Sequence, residues 1–346
     1  MRLNLHARRM DPVERELPQL LLTSVERLSP AGDRWMQRAA RAGTLIRVRA
    51  GAYVRAAEWE QATHDEQALV RTAAVVRSRY QDAILARESA ALILGIPIVG
   101  PRPKEVHLIS GTGAAPRNQR EVVWHRERLD GSDVIEYGGF LVTNPERTAF
   151  DLARTRAFAS AVTGLDAVLA GRFEPTPARF DGQRFTQWHP EAVAPVDGAA
   201  LLDRVASSSG ARGIRSARRA VRFANPLAGS PGESLSRANI HLLGFPEPEL
   251  QVPFQRSDGL GADVTDFHWP GFATAGEFDG FVKYHRDEFL EDMTPEEIVW
   301  LEKERERRLR RDHRLEVSRW TWDVARSLHR LRAELLAAGL PIVRRR

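Results

Sequence analysis

The sequence predicts an α+β chain of several domains, and three observations carry that prediction. A length of 346 residues exceeds the common single-domain size, and 42% hydrophobic residues suffice for ordinary cores. Segments of helical period alternate with short runs of strand period. A stretch rich in proline and glycine, with Pro175, Pro177, Gly182, Pro190, Pro195 and Gly198, reads as a linker between ordered parts.

Composition narrows the function. There is no cysteine, which excludes disulfides, thiolate zinc sites, cysteine-ligated iron–sulfur clusters and cysteine nucleophiles, and which fits a reducing cytoplasm. The basic segment Met1 to Met10 lacks the apolar stretch of a secretory signal. The longest apolar run, Ala90 to Gly100, is short and is broken by Gly95 and Pro97, so no membrane span is expected. The net charge is +5, yet residues 1 to 55 alone hold eleven arginines against five acids. That concentration reads as an electrostatic footprint for nucleic acid, with a solvated arginine surface as the alternative.

Residues 1–57 form the first expected domain. A helix carrying Trp35, Met36, Ala39 and Ala40, capped by Asp33, stops at Gly43. A hairpin follows, Leu45 to Arg49 and then Ala52 to Val54, turning at Ala50-Gly51. A helix followed by a basic ribbon is the winged-helix pattern, with Arg38 and Arg41 on the helix and Arg47 and Arg49 on the wing as candidate nucleic-acid contacts. The run from Gly43 through Gly51 to Tyr53 and Val54 resembles the N-terminal domain of abortive-infection antitoxin proteins of the AbiEi type. The resemblance implies binding of DNA or contact with a protein, a cognate toxin among the partners.

Residues 58–172 form a mixed α/β middle domain. Helices are expected over Glu66 to Tyr80 and Arg87 to Leu94, and strands near Glu105 to Ile109, Val122 to His125 and Phe140 to Val142. Thr143-Asn144-Pro145 opens a helix through Ala153, with proline at its favoured first position. The segments at Arg87-Glu88-Ser89 and from Leu141 to Asp151 resemble the companion domain of the same antitoxin-like family. Glu146, Arg147 and Asp151 read as capping and helix-surface residues, and His107 and His125 as strand-face residues. Residues 173–229 are the linker and an arginine-rich helical stretch, Ala199 to Arg222. Its Arg212, Arg215, Arg218, Arg219 and Arg222 lie mostly on one side, where they either track phosphates or are solvated.

Residues 230–346 carry the chemistry. Ser230, Pro231 and Glu233 make a capping box for a helix ending at Gly244, so Glu233 is either a cap or a site residue. Asp266 interrupts a good strand pattern, and Glu277 and Asp279 lie two apart on the next strand. In one possible register Asp266 faces Glu277 across a two-residue Gly271-Phe272 turn, and the three acids share a face while Asp263 points away. Converging carboxylates repel unless a cation sits among them, and Mg²⁺ or Mn²⁺ takes such oxygen ligands. A strand at Leu250 to Phe254, a charged helix over Glu296 to Arg311, a strand at Leu315 to Trp322 and a helix over Val324 to Ala338 complete the segment.

This order of helix, three strands, helix, strand, helix resembles the restriction-endonuclease fold, in the branch of the very-short-patch-repair endonucleases. That branch carries an acid in its first helix, an aspartate on the second strand and Glu-x-Asp-Gly on the third, matched here by Glu233, Asp266, Glu277 and Asp279-Gly280. The resemblance implies a metal-dependent DNA endonuclease, with Glu233, Asp266 and Glu277 as ligands and Asp266, Glu277, Asp279 and Lys283 as the catalytic set. The broader superfamily has a lysine where this chain has Asp279, and Lys283 shares the strand parity of Glu277. The competing reading is a non-catalytic DNA-binding regulator or antitoxin that keeps the core as a scaffold.

Overall fold

Short β-branched and aromatic runs form sheets, and the helical segments between them pack onto those sheets. The computed structural model describes residues 17–26, 34–79, 83–110, 118, 121–182, 184–280 and 294–343. Two compact units result: one of residues 1–97, 101–151 and 173–194, the other of residues 98–100, 152–172 and 195–346. The result is mixed α and β without a barrel. Among the described residues no helix is long and apolar enough to cross a membrane.

The first unit starts with β1 (Leu21–Leu22), α1 (Thr23–Glu26), α2 (Arg34–Arg41), β2 (Leu45–Arg49) and β3 (Ala52–Arg55), the strands ordered β1-β3-β2. The helix and hairpin stand where their apolar spacing puts them, with Met36, Leu45 and Tyr53 as a small core. Asp33, the expected cap of α2, lies outside the described residues. Next come α3 (Ala56–Gln61), α4 (His64–Arg79), β4 (Ile84–Leu85), α5 (Arg87–Leu94), β5 (Val106–Ile109), β6 (Val122–His125), β7 (Val134–Tyr137), β8 (Phe140–Thr143) and α6 (Pro145–Thr155). Their five strands are ordered β6-β5-β4-β8-β7. Arg147 of α6 is buried rather than at the surface, held by Asp151 at 3.0 Å, Asp133 at 3.1 Å and Glu127 at 3.0 Å. After α7 (Phe158–Leu169) of the second unit, β9 (Ala178–Phe180) and β10 (Phe185–Gln187) pair inside the stretch that composition marks as linker. Phe180 makes the difference: it is buried and stacks on Phe140 at 5.4 Å.

The second unit adds α8 (Gly198–Ser207), α9 (Ile214–Phe223), α10 (Pro231–Leu243), β11 (Glu249–Gln255), β12 (Ala262–Trp269), β13 (Thr274–Asp279), α11 (Pro295–Asp312), β14 (Glu316–Thr321), α12 (Trp322–Ala325) and α13 (Leu328–Ala337). The four strands are ordered β11-β12-β13-β14, with β14 parallel to β13 and the others antiparallel. A parallel neighbour requires a crossover, and α11 lies in it. The core gathers Phe267, Trp269, Phe278 and Trp320, whose indoles donate to the Pro246 carbonyl and the Ser236 hydroxyl, both at 2.9 Å. Each such ring contributes roughly 1.5–3 kcal/mol by leaving water.

Three local expectations are corrected. The stretch Ala199 to Arg222 is two helices, because Gly213 takes φ 80° and its Cα approaches the Arg154 carbonyl so closely that a Cβ would lie 2.1 Å from the oxygen. The last helix is likewise broken into α12 and α13, with Ser327 capping the second through Arg330 N–H. The β12–β13 register is the expected one, Phe267 facing Gly276 and Trp269 facing Thr274. The turn is not: Pro270–Phe272 form a short 3₁₀ segment and Ala273 takes φ 46° in place of a two-residue turn.

Asp166 of α7 and Arg237 of α10 form a buried pair at 2.9 and 3.0 Å. Removing one partner strands the other charge, so Asp166→Ala is expected to cost about 3–5 kcal/mol in urea denaturation, whereas Asp166→Leu/Arg237→Met is expected to lose much less. Equal losses would show that the charges do not act as a pair.

Candidate active site

Glu233 caps its own helix and also reaches beyond it. It begins α10 as its N3 residue, its N–H donating to the Ser230 hydroxyl. Its carboxylate accepts from the Gly229 N–H at 2.7 Å, the Ser230 hydroxyl at 2.8 Å and Gln251 Nε2 at 2.8 Å. The same Gln251 nitrogen lies 3.4 Å from Asp266 Oδ1, so one amide group links the helix acid to the strand acid. Gln251 achieves this from φ 53°, a left-handed conformation that costs a side-chain-bearing residue about 1–3 kcal/mol.

Asp266 stands where the β12–β13 ladder ends. Pairing stops at Phe267 and Gly276, and beyond it the Phe278 N–H donates to Asp266 Oδ2 at 2.8 Å. A side chain thus replaces the backbone partner, fixing one carboxylate oxygen while the other turns toward Gln251. Glu277 is next to it in the fold and almost wholly buried. Burial pushes its carboxyl pKa above the ordinary value; Arg305 and Arg319 oppose that shift, and the Asp266 charge adds to it.

The arginines are what the sequence reading missed. Arg305 of α11 donates through Nη1 to Glu277 Oε2 at 2.9 Å, and its Nη2 lies 2.6 Å from Oε1 and also bonds the Val264 carbonyl. Oε1 is buried and makes no aligned hydrogen bond. Arg319, beside Glu277 in the parallel β13–β14 register, approaches Oε2 at 3.2 Å and donates to Glu302 at 2.9 Å. Its position was legible from strand parity; that of Arg305 follows from lying one turn before the buried Leu309. Asp263, expected to point away, is instead gripped by Arg308 of the same helix at 2.8 Å through two bonds. The β11–β12 pairing skips only Gln251 and Asp266, and strict alternation fails across this interruption.

Asp279 ends β13, half-buried, and its charge is felt by Arg319. Lys283 lies outside the described residues. Carboxylate oxygens are donors that suit a hard divalent cation, and the Gln251 nitrogen lies between two of the acids, Glu233 and Asp266, while Glu277 is already met by Arg305 and Arg319. Among the described residues no three such side chains converge closely enough to be a formed metal cage.

Of the candidate nucleic-acid residues in the first unit, Arg38, Arg41 and Arg47 are exposed. Arg49 is not: a bulge between Arg47 and Arg49 turns it inward, 3.7 Å from Glu121. His107 and His125 face each other from β5 and β6, with Nδ1 and Nε2 2.9 Å apart.

No family model matches the chain. It is similar to uncharacterized proteins from two strains of Mycobacterium tuberculosis, each 30% identical over 168 residues, 47% of this chain and 52% of the relative. The chain thus spans about half the length of these curated relatives.

The Glu277 arrangement yields a stability prediction. Arg305→Ala leaves a buried carboxylate with one guanidinium, and the expected loss is about 1–3 kcal/mol in urea denaturation, moderated because Arg305 is partly solvated. Adding Glu277→Gln should recover part of that loss, and no recovery would mean the two side chains do not share an interaction.

Proposed function

We propose that this protein binds DNA and hydrolyses its phosphodiester bonds in the second unit, using Mg²⁺ or Mn²⁺ held by Glu233, Asp266 and Glu277. The observation that carries the reading is the meeting of a helix-start acid and a strand acid on one amide nitrogen, at the end of a broken ladder, beside a buried glutamate. The resemblance to the very-short-patch-repair endonucleases adds the reaction class. Bound there, the ion supplies a water of lowered pKa and neutralises charge on the phosphate. The chain's own residues do the remainder. The Phe278 N–H orients Asp266, Asp279 serves as a second ligand or orients the attacking water, and Lys283 contributes a cation to the transition state. Arg319 and Arg305 are further cations for that task, in a fold whose third strand has Asp279 where a lysine stands in the wider superfamily.

DNA is held in this reading by the winged-helix-like elements of the first unit through Arg38, Arg41 and Arg47, with Arg49 withdrawn to its Glu121 contact. The second reading is a DNA-binding regulator or antitoxin of a toxin–antitoxin or phage-defence system, with a cognate toxin as partner. Engagement of Glu277 by two arginines favours it, because that carboxylate is already neutralised without an ion.

Supercoiled and linear DNA incubated with the protein in Mg²⁺, Mn²⁺ or EDTA separates the readings. Metal-dependent nicking is expected from the wild type, with a loss on the order of 10³-fold or more in Asp266→Ala/Glu277→Ala. Cleavage that is absent, or equal in both proteins, sinks the nuclease reading. A thermal shift with Mg²⁺ that disappears in Asp266→Asn reports the ion independently of activity.

A further inference from the structure

We infer that the exposed face of α9 is a docking surface for the phosphodiester backbone of DNA, separate from the carboxylate site and from the basic N-terminal elements. It rests on the reading of the second unit as one that handles DNA. Arg215, Arg218, Arg219 and Arg222 line an open groove of about 530 Å³ whose remaining walls are Phe223, His241 and Glu247. Their spacing of three and four residues puts all four guanidinium groups on one helix face, spread over about 10 Å. All four are exposed, and among the described residues no carboxylate lies within ion-pair distance of Arg215, Arg218 or Arg222. Each like-charged pair three or four residues apart costs a helix about 0.2–0.5 kcal/mol, so the face is strained in the absence of an anion.

The groove is also built rather than merely charged. The Arg219 guanidinium lies 4.3 Å over the Phe158 ring, which fixes its plane. Phe223 sits between Arg237, 4.1 Å from its centre, and His241, 4.3 Å ring to ring. His241 Nδ1 is 3.0 Å from Glu247, so the single acid among the groove's lining residues is engaged by the imidazole. Planar, weakly hydrated forks suit phosphate oxygens, and a row of four suits a run of phosphates better than one small anion.

Position supports the same partner. His241 lies eight residues along α10 from Glu233, about 12 Å by helical rise, and a DNA strand covers that in about three to four nucleotides.

The test is anisotropy of a labelled duplex DNA titrated with the full chain over a KCl series in EDTA. Arg215→Ala/Arg218→Ala/Arg222→Ala is expected to lower the slope of log affinity against log salt by about one per residue, with the matching triple lysine variant retaining it. The alanine variant relieves repulsion and raises helix propensity, so a melting temperature no lower than that of the wild type accompanies the result. An unchanged slope in the alanine variant overturns the inference whatever the cleavage assay shows. Tighter arginine-dependent binding of poly-L-glutamate than of duplex also overturns it, in favour of an acidic polypeptide partner. A slope that falls in the alanine variant but not in Asp266→Ala/Glu277→Ala supports it, even if neither protein cleaves.

Discussion

The second unit depends on the bond between Asp166 and Arg237. Asp166 has no exposed surface and receives two donations from Arg237 and one from the Asn225 N–H. Arg237 in turn donates to the Phe223 carbonyl at 2.9 Å and stacks on the Phe223 ring. Three segments are therefore tied at one point: α7, the end of α9 and the middle of α10. The orientation of α10 follows, and with it the placement of Glu233 at one end and His241 toward the other. An ion pair this deep contributes little net stability compared with an apolar replacement, because both charges lost their water. Its effect is on geometry: hydrophobic surface alone would tolerate rotation of α10, while a two-pronged guanidinium–carboxylate contact does not.

Much of this architecture was legible in the chain. The capping signals Ser230, Pro231 and Gly244 bound α10, and the observed β12–β13 register is one of those that the alternation around Pro270-Gly271 allowed. What periodicity cannot convey is which of the possible registers is taken, or the single residue that leaves its class. Ala273 and Gln251 adopt positive φ with ordinary side chains, so neither the turn nor the distortion opposite Asp266 was visible. The bulge that turns Arg49 inward is equally silent in composition. Phe180, in a stretch otherwise rich in proline and glycine, buried itself and converted an apparent linker into a hairpin.

The arginines around Glu277 were hidden for a different reason. A helix written Glu302-Lys303-Glu304-Arg305-Glu306-Arg307-Arg308 looks uniformly charged, and such helices are mostly solvated. Only the buried Leu309, with Leu315, Val317 and Ala275 around it, shows which side faces the sheet. Once that side is known, Arg305 falls beside Glu277 and Arg308 beside Asp263. A run of charges thus holds two kinds of arginine, those that meet buried acids and those, such as Arg307, that remain at the surface.

Gln251 gives the strongest physical argument about the carboxylate cluster. A strand residue in a left-handed conformation stores about 1–3 kcal/mol and persists only when its surroundings compensate. The compensation here is polar: its amide nitrogen donates to Glu233 and lies near Asp266, two acids that would otherwise repel across a poorly solvated gap. Arg305 and Arg319 do the same for Glu277. The protein thus holds its acids together by one strained amide and two guanidinium groups, each spread over several acceptors. A compact divalent charge between the acids would relieve the amide of that task, and the strain at Gln251 would then favour its withdrawal. The cost of gathering these acids is therefore concentrated at one backbone position, Gln251, and is offset by the hydrogen bond its side chain makes to Glu233 and by its approach to Asp266.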